Sequence, residues 1–129
     1  MIGRDKSFQC KKTSNIKRCG QLLALETFVT AAHRLLFIEI APRPHNSFHW
    51  TIEGCANSQF TQLIRAVAGM PLGSTNCYGQ WQMDNLLGED MTRLDALAST
   101  SGLHLHLYGK AEAKPGRKMG HTNRQIKPV

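Results

Sequence analysis

The chain has 129 residues, 41% hydrophobic and 19% charged, the proportions expected of a soluble globular chain holding one domain or part of a larger one. Its apolar segments are short and broken by charge, which excludes a transmembrane helix. The N-terminal "MIGRDKSFQCKK" lacks the apolar stretch of a signal peptide, so a cytoplasmic setting is expected. The net charge of +7 is uneven: residues 1–20 and 110–129 each hold six Lys/Arg against one acid, while the middle holds four against seven. Such basic ends read as solvated arms or, less commonly, as contacts for a phosphate-bearing partner.

Residues 1–20 are polar, basic and aperiodic, and are expected to be disordered or foreign to the fold. Two strands follow, "QLLALETFV" and "RLLFIEI", joined by "TAAHR". Residues 41–50 form a Pro-rich loop. From Thr51 the period changes: Ile52, Cys55, Ala56, Phe60, Leu63, Ile64 and Val67 recur at helical spacing and predict one helix with a single apolar stripe. Gly69 and Pro71 stop it. "PLGSTNCYGQ" reads as loop, "WQMDNLLG" as a strand, and "DMTRLDALAST" as a short helix capped at or near Asp90. "LHLHLY" alternates, so it is a strand with His104, His106 and Tyr108 on one face. Both histidines fit satisfied strand residues better than metal ligands. The closing "GKAEAKPGRKMGHTNRQ" reads as a basic, glycine-containing loop with at most a short strand.

The cysteines, Cys10, Cys19, Cys55 and Cys77, form no CxxC pair and match no zinc spacing. A reducing compartment argues against disulfides. Cys55, on the predicted helix face, is expected to act as a small hydrophobe.

Glu26 and Glu39 are the only acids in the two predicted strands. If Thr30 pairs with Leu35 around a loop of residues 31–34, the two glutamates stand directly opposite each other. Opposed like charges destabilise a sheet, and a divalent cation between them reverses that sign. Mg²⁺ suits the position, because it uses one or two carboxylates and fills its shell with water and phosphate oxygens. Arg43, four residues past Glu39, has the charge to meet a phosphate oxygen. The alternative is two solvated rim glutamates, since a one-residue register slip removes the pairing.

"EIAPRPHNS" with "HWT", then "SQFTQLIRAV", "PLGS" and "HLHLYGKAEAKPGRKMGH", resemble in order the C-terminal part of the N5-carboxyaminoimidazole ribonucleotide synthetases, ATP-grasp ligases of purine biosynthesis. The likeness runs from about Cys19 to about Asn123. It implies an α+β fold: a fragment of an ATP-grasp domain, antiparallel hairpin plus helix, over residues 21–70, then a small C-terminal β-rich domain over residues 71–129. It implies ATP-dependent carboxylation of aminoimidazole ribonucleotide by bicarbonate, with Mg²⁺ and ATP as cofactors. By the same resemblance Glu26 and Glu39 match the metal-binding glutamates, and Glu39 and Arg43 meet ATP. His45 and Asn46, with Ser47, match the loop over the reaction centre, which Arg43 flanks. Lys110 and Arg117, with Lys118 beside them, match the residues that hold the ribonucleotide phosphate; His121 lies in the same "GRKMGH" loop.

Two residues depart from the family pattern: Ile38 stands where asparagine is usual, and Phe48 where glycine is usual. The chain also lacks the N-terminal and most ATP-binding regions of the family. The resulting expectation is a truncated member, inactive and aggregation-prone alone. An intact enzyme of this kind is expected to be a homodimer, and a complementing N-terminal chain is one candidate partner for this chain. The alternative reading is a non-catalytic nucleic-acid or partner-binding module. Against it, the two basic ends carry only one aromatic residue, Phe8, and so no stacking platform for bases.

Overall fold

The computed structural model describes residues 22–128; the expectation of disorder over residues 1–20 lies outside them. β1 (Ala24–Val29) and β2 (Leu35–Ala41) form an antiparallel hairpin, built from branched and aromatic residues that suit a pleated surface. Its loop is tighter than expected. Thr30 N–H donates to the Arg34 carbonyl (2.9 Å), and Arg34 N–H to Thr30 Oγ1 (3.1 Å). His33 takes φ 56°, the left-handed position of a three-residue hairpin loop. Leu35 therefore faces Val29, not Thr30. The register then shifts between Glu26 and Thr27, leaving Ile38 as a bulge residue, and Glu26 ends opposite Glu39 after all. The bulge also puts Phe37 opposite Thr27, on the other face from the glutamates.

The predicted single helix is two. After a 3₁₀ turn (Asn46–Phe48), α1 covers Thr51–Gly54 and α2 covers Gln59–Val67. Cys55 is extended between them (φ −132°, ψ 156°) and is joined by a disulfide to Cys77. Ala56 N–H to the Asn76 carbonyl (2.8 Å) and Tyr78 N–H to the Gly54 carbonyl (2.7 Å) complete that bridge. Ser58 caps the second helix through Oγ, which accepts from Thr61 N–H (3.1 Å). Helical periodicity ran through a segment that a cross-link and a cap had claimed. The predicted stop holds: Gly69 (φ 67°) follows α2, and Met70 N–H reaches back to the Arg65 carbonyl (2.8 Å).

β3 (Gln80–Leu87), β4 (Leu103–Leu107) and β5 (Lys118–Lys127) form a second antiparallel sheet in the order β3-β5-β4. A 3₁₀ segment (Gly88–Arg93) and α3 (Leu94–Ala98) connect β3 to β4. Asp90 is not the helix cap expected of it: it sits inside the 3₁₀ segment, where its Oδ2 accepts from Leu87 N–H (2.9 Å) at the segment's start, and α3 begins only at Leu94. The sequence assigned most of β5 to loop, yet it is the central and longest strand. Its buried stretch is Met119, Gly120, His121, Thr122 and Asn123, with no apolar alternation to announce a strand. A Cβ at Gly120 would strike the His106 carbonyl, so the approach of β4 and β5 requires glycine there. Among the described residues only Ala24, Ala41, Leu86 and Met119 are buried apolar side chains, against six buried polar ones. The fully buried side chains are therefore mostly polar. Among the described residues no helix is long and apolar enough to cross a membrane.

Candidate functional site

The hairpin register brings the Glu26 and Glu39 carboxylates together. One oxygen of each and a ring nitrogen of His45 lie within 4.8 Å of one another. Glu39 Oε1 also meets Arg43 Nη2 at 3.1 Å, an exposed pair. His45 Nε2 stands 3.6 Å from Glu26 Oε2. The other ring nitrogen, Nδ1, accepts from Ser47 N–H (3.4 Å) and lies 2.7 Å from Ser47 Oγ. A neutral ring with Nδ1 accepting carries its proton on Nε2, so His45 presents an N–H to Glu26. That leaves the two carboxylates as the oxygen donors, the set that a hard cation prefers.

The loop beyond them is fixed from below. Gln59, buried at the start of α2, accepts from His45 N–H at Oε1 (2.9 Å) and donates from Nε2 to the His45 carbonyl (3.0 Å). Thr51 Oγ1 in turn receives Gln59 N–H (3.0 Å). Phe48 does not need a glycine-like backbone: among the described residues His33 is the one non-glycine with positive φ. The Phe48 carbonyl accepts from Thr51 Oγ1 (2.6 Å).

Asn46 is where this loop meets the second sheet: its Oδ1 lies 3.4 Å from Lys118 Nζ at the start of β5. Lys110 Nζ donates to the Lys118 carbonyl (2.5 Å) and sits 5.7 Å from the Tyr108 ring centroid. Lys110 and Lys118 thus share one neighbourhood with Asn46. Between them "KPGR" makes a tight turn, with Gly116 at φ 72° and Arg117 N–H on the Lys114 carbonyl (3.0 Å). Glu89 Oε2 accepts from Gly116 N–H (2.9 Å) and anchors the turn. Arg117 is held within its own loop, Nη1 on the Glu112 carbonyl (3.3 Å).

Under this surface lies a polar network that sequence reasoning missed. Glu53 of α1 meets His106 Nε2 (2.6 Å) through one oxygen and accepts from Asn123 Nδ2 (2.6 Å) through the other. Asn123 Nδ2 also lies 3.3 Å from the His49 carbonyl. His121 stacks on His106 (centroids 4.6 Å, 11° between planes), lies 4.9 Å from the His49 ring, and has Nδ1 2.9 Å from Tyr108 Oη. Burial, then repulsion from His106 and His49, lowers the His121 pKa to about 4. Burial, with the neighbouring His45, His106 and Lys118, also lowers that of His49. Burial raises the Tyr108 hydroxyl, a hydrogen bond from Asn46 opposing it. The alternating "LHLHLY" did mark the His106–Tyr108 face, but nothing in the letters placed α1 against it.

Residues 8–60 match the ATP-grasp domain model, and residues 82–125 match the phosphoribosylaminoimidazole carboxylase C-terminal domain model. The first match begins before Cys19, where the letter-by-letter likeness starts. The N5-carboxyaminoimidazole ribonucleotide synthase of Brucella melitensis is 52% identical over 107 residues, covering 83% of this chain and 29% of that protein. Among solved structures, the N5-carboxyaminoimidazole ribonucleotide synthetase of Thermus thermophilus is 52% identical with TM-score 0.71, covering 80% of this chain and 28% of that one. The Aspergillus clavatus N5-carboxyaminoimidazole synthase, in complex with ADP and 5-aminoimidazole ribonucleotide, is 37% identical with TM-score 0.73, over 79% and 29%. The chain therefore spans less than a third of the length of each of these relatives. Two consecutive domain matches in the family's order, at about half identity and with the fold in common, mean that the chain belongs to the N5-carboxyaminoimidazole ribonucleotide synthetase family.

Proposed function

We propose that the chain supplies the cation-binding hairpin and the substrate-phosphate loop of an ATP-dependent ligase that carboxylates aminoimidazole ribonucleotide with bicarbonate. The observation that carries this reading is Glu26 facing Glu39 across the hairpin. Two opposed carboxylates are unfavourable without a counter-charge, and the one that Arg43 offers to Glu39 comes from an exposed position. The donor set fits Mg²⁺, which when bound would neutralise the triphosphate of ATP and orient its terminal phosphate. In this assignment Glu26 and Glu39 hold the metal, and Glu39 and Arg43 face the nucleotide. His45 and Asn46 line the reaction centre, where His45 offers its Nε2 proton and Asn46 its amide. Lys110 and Lys118 supply point charges and Arg117 a planar fork for the ribonucleotide phosphate. Arg117 reaches it by leaving the Glu112 carbonyl. The ligands named for the Aspergillus relative support both halves of this reading. We further assign residues 21–70 to the ATP-grasp share and residues 71–129 to the C-terminal domain.

This length of chain does not by itself enclose a dry, oriented reaction centre, so turnover requires the remaining walls of the family's fold. The metal assignment is testable without turnover. Glu26→Gln and Glu39→Gln are each expected to raise metal-free stability by about 0.5 kcal/mol, because each relieves an opposed charge. Thermal melts with millimolar Mg²⁺ should stabilise the parent chain and neither variant. If Mg²⁺ leaves the parent chain unmoved, the metal assignment fails.

A further inference from the structure

We infer that Gln59 is the positioning residue of this site: its amide fixes the backbone at His45 and the proton on His49, setting His45 toward Glu26 and Asn46 toward Lys118. The inference rests on the functional reading above for what is positioned, and on geometry alone for how. Gln59 is 6% exposed and lies on α2, fourteen residues from His45. Its side-chain oxygen accepts from His45 N–H and its nitrogen donates to the His45 carbonyl. That pair of bonds fixes which way the amide points, because a flipped amide would set donor against donor and acceptor against acceptor. The same nitrogen lies 2.7 Å from His49 Nδ1. With the amide oriented by His45, Nε2 can only donate there. His49 Nδ1 must therefore be the unprotonated nitrogen, and the ring proton sits on Nε2. A single buried amide thus ties together both ends of the segment 45–49, and the His49 carbonyl and ring carry that order on to Asn123 and His121.

The site consequences follow from the segment's two contacts. His45 reaches Glu26 from one end of the loop, and Asn46 reaches Lys118 next to it. Neither contact is long-lived unless the backbone between them is held, and a 3₁₀ turn of three residues holds itself weakly. The Gln59 clamp therefore couples the carboxylate hairpin to the basic loop of the second sheet. No single-sequence pattern reveals this, because a glutamine at a helix start reads as a solvated polar residue.

The test is nuclear magnetic resonance on the chain with ¹⁵N-labelled histidine, at neutral pH. In the parent chain the His49 ring is expected to carry its proton on Nε2, and the His45 amide to exchange slowly with solvent. Gln59→Glu keeps an acceptor for His45 N–H and removes both donors. It should retain slow exchange at His45 while the His49 proton moves to Nδ1, a split that general loosening cannot produce. Gln59→Met should lose both signatures. Mg²⁺ affinity in Gln59→Glu is expected to fall about tenfold, as when a partner behind a metal site is removed. A parent-chain His49 protonated on Nδ1 overturns the inference whether or not the variants fold, as does an unchanged tautomer in a folded Gln59→Glu. Failure of the parent chain to bind Mg²⁺ strikes the functional reading instead, since the ring and amide signatures do not depend on the metal.

Discussion

His121 shows how a single side chain sets a condition on the fold. It lies on the central strand, 2% exposed, between the rings of His106 and His49. Its folded pKa, about 4, is below the ordinary 6.5. The unfolded chain therefore binds more protons than the folded chain between those values, and stability falls as pH falls through that window. The contribution is fully present above pH 6.5 and is lost progressively as pH drops toward 4. Burial of His49 acts in the same direction. Urea midpoints measured at pH 7 and pH 5 should differ, and His121→Gln should flatten the difference; an equal slope in the variant would remove His121 as its source. The facing glutamates, by contrast, were legible from period-two alternation and chain reversal, although two errors cancelled in reaching them. The loop is one residue shorter than expected, and the Ile38 bulge adds that residue back. The buried histidines and Gln59 were not legible, because a polar letter carries no mark of burial until a second element is placed over it.

At the scale of elements, patterning succeeded where one period ran alone and failed where a tertiary constraint cut across it. β1, β2, β3 and β4 lie within a residue or a few of the segments that the sequence marked as strands. The predicted long helix is broken at Cys55, whose partner Cys77 is 22 residues away in a segment with no pattern of its own. The signal that would have divided it was present in "ANSQF", where Ser58 heads a new helix. The bridge matters energetically because it ties the α1–α2 junction, and so Glu53 and Gln59, to the entry of β3. Closing a loop of this size stabilises a fold by about 3 kcal/mol through the unfolded chain. Adding a thiol reductant, or making the Cys55→Ala/Cys77→Ala double variant, should lower the urea midpoint by a matching amount. A midpoint indifferent to reductant and to the double variant would show that the two sulfurs contribute nothing to stability.

At the scale of the whole molecule, a small polar interior among the described residues carries two exposed apolar faces. On the hairpin, Leu25, Leu35, Phe37 and Ile40 are each more than half exposed. On α2, Ile64 is 65% and Val67 68% exposed, so much of the stripe that predicted a buried helix face points outward. A two-stranded hairpin is marginal in water by itself, and each such side chain gains about 1.5–3 kcal/mol on being buried. The hairpin face lies within the residues that match the ATP-grasp model, and the chain spans less than a third of the curated relatives it matches; under the proposed function, the remainder of that domain is the surface that fits these faces. Two consequences separate this account from that of a self-sufficient module. Alone, the chain should self-associate as its concentration rises and should melt over a broad range, measured by sedimentation velocity and calorimetry. Mixed with a chain carrying the remainder of the family's ATP-grasp region, it should sediment as a defined complex with a sharp transition. A sharply melting monomer at high concentration would mean that hydrogen bonding in the second sheet suffices, and that the exposed leucines and isoleucines await nothing.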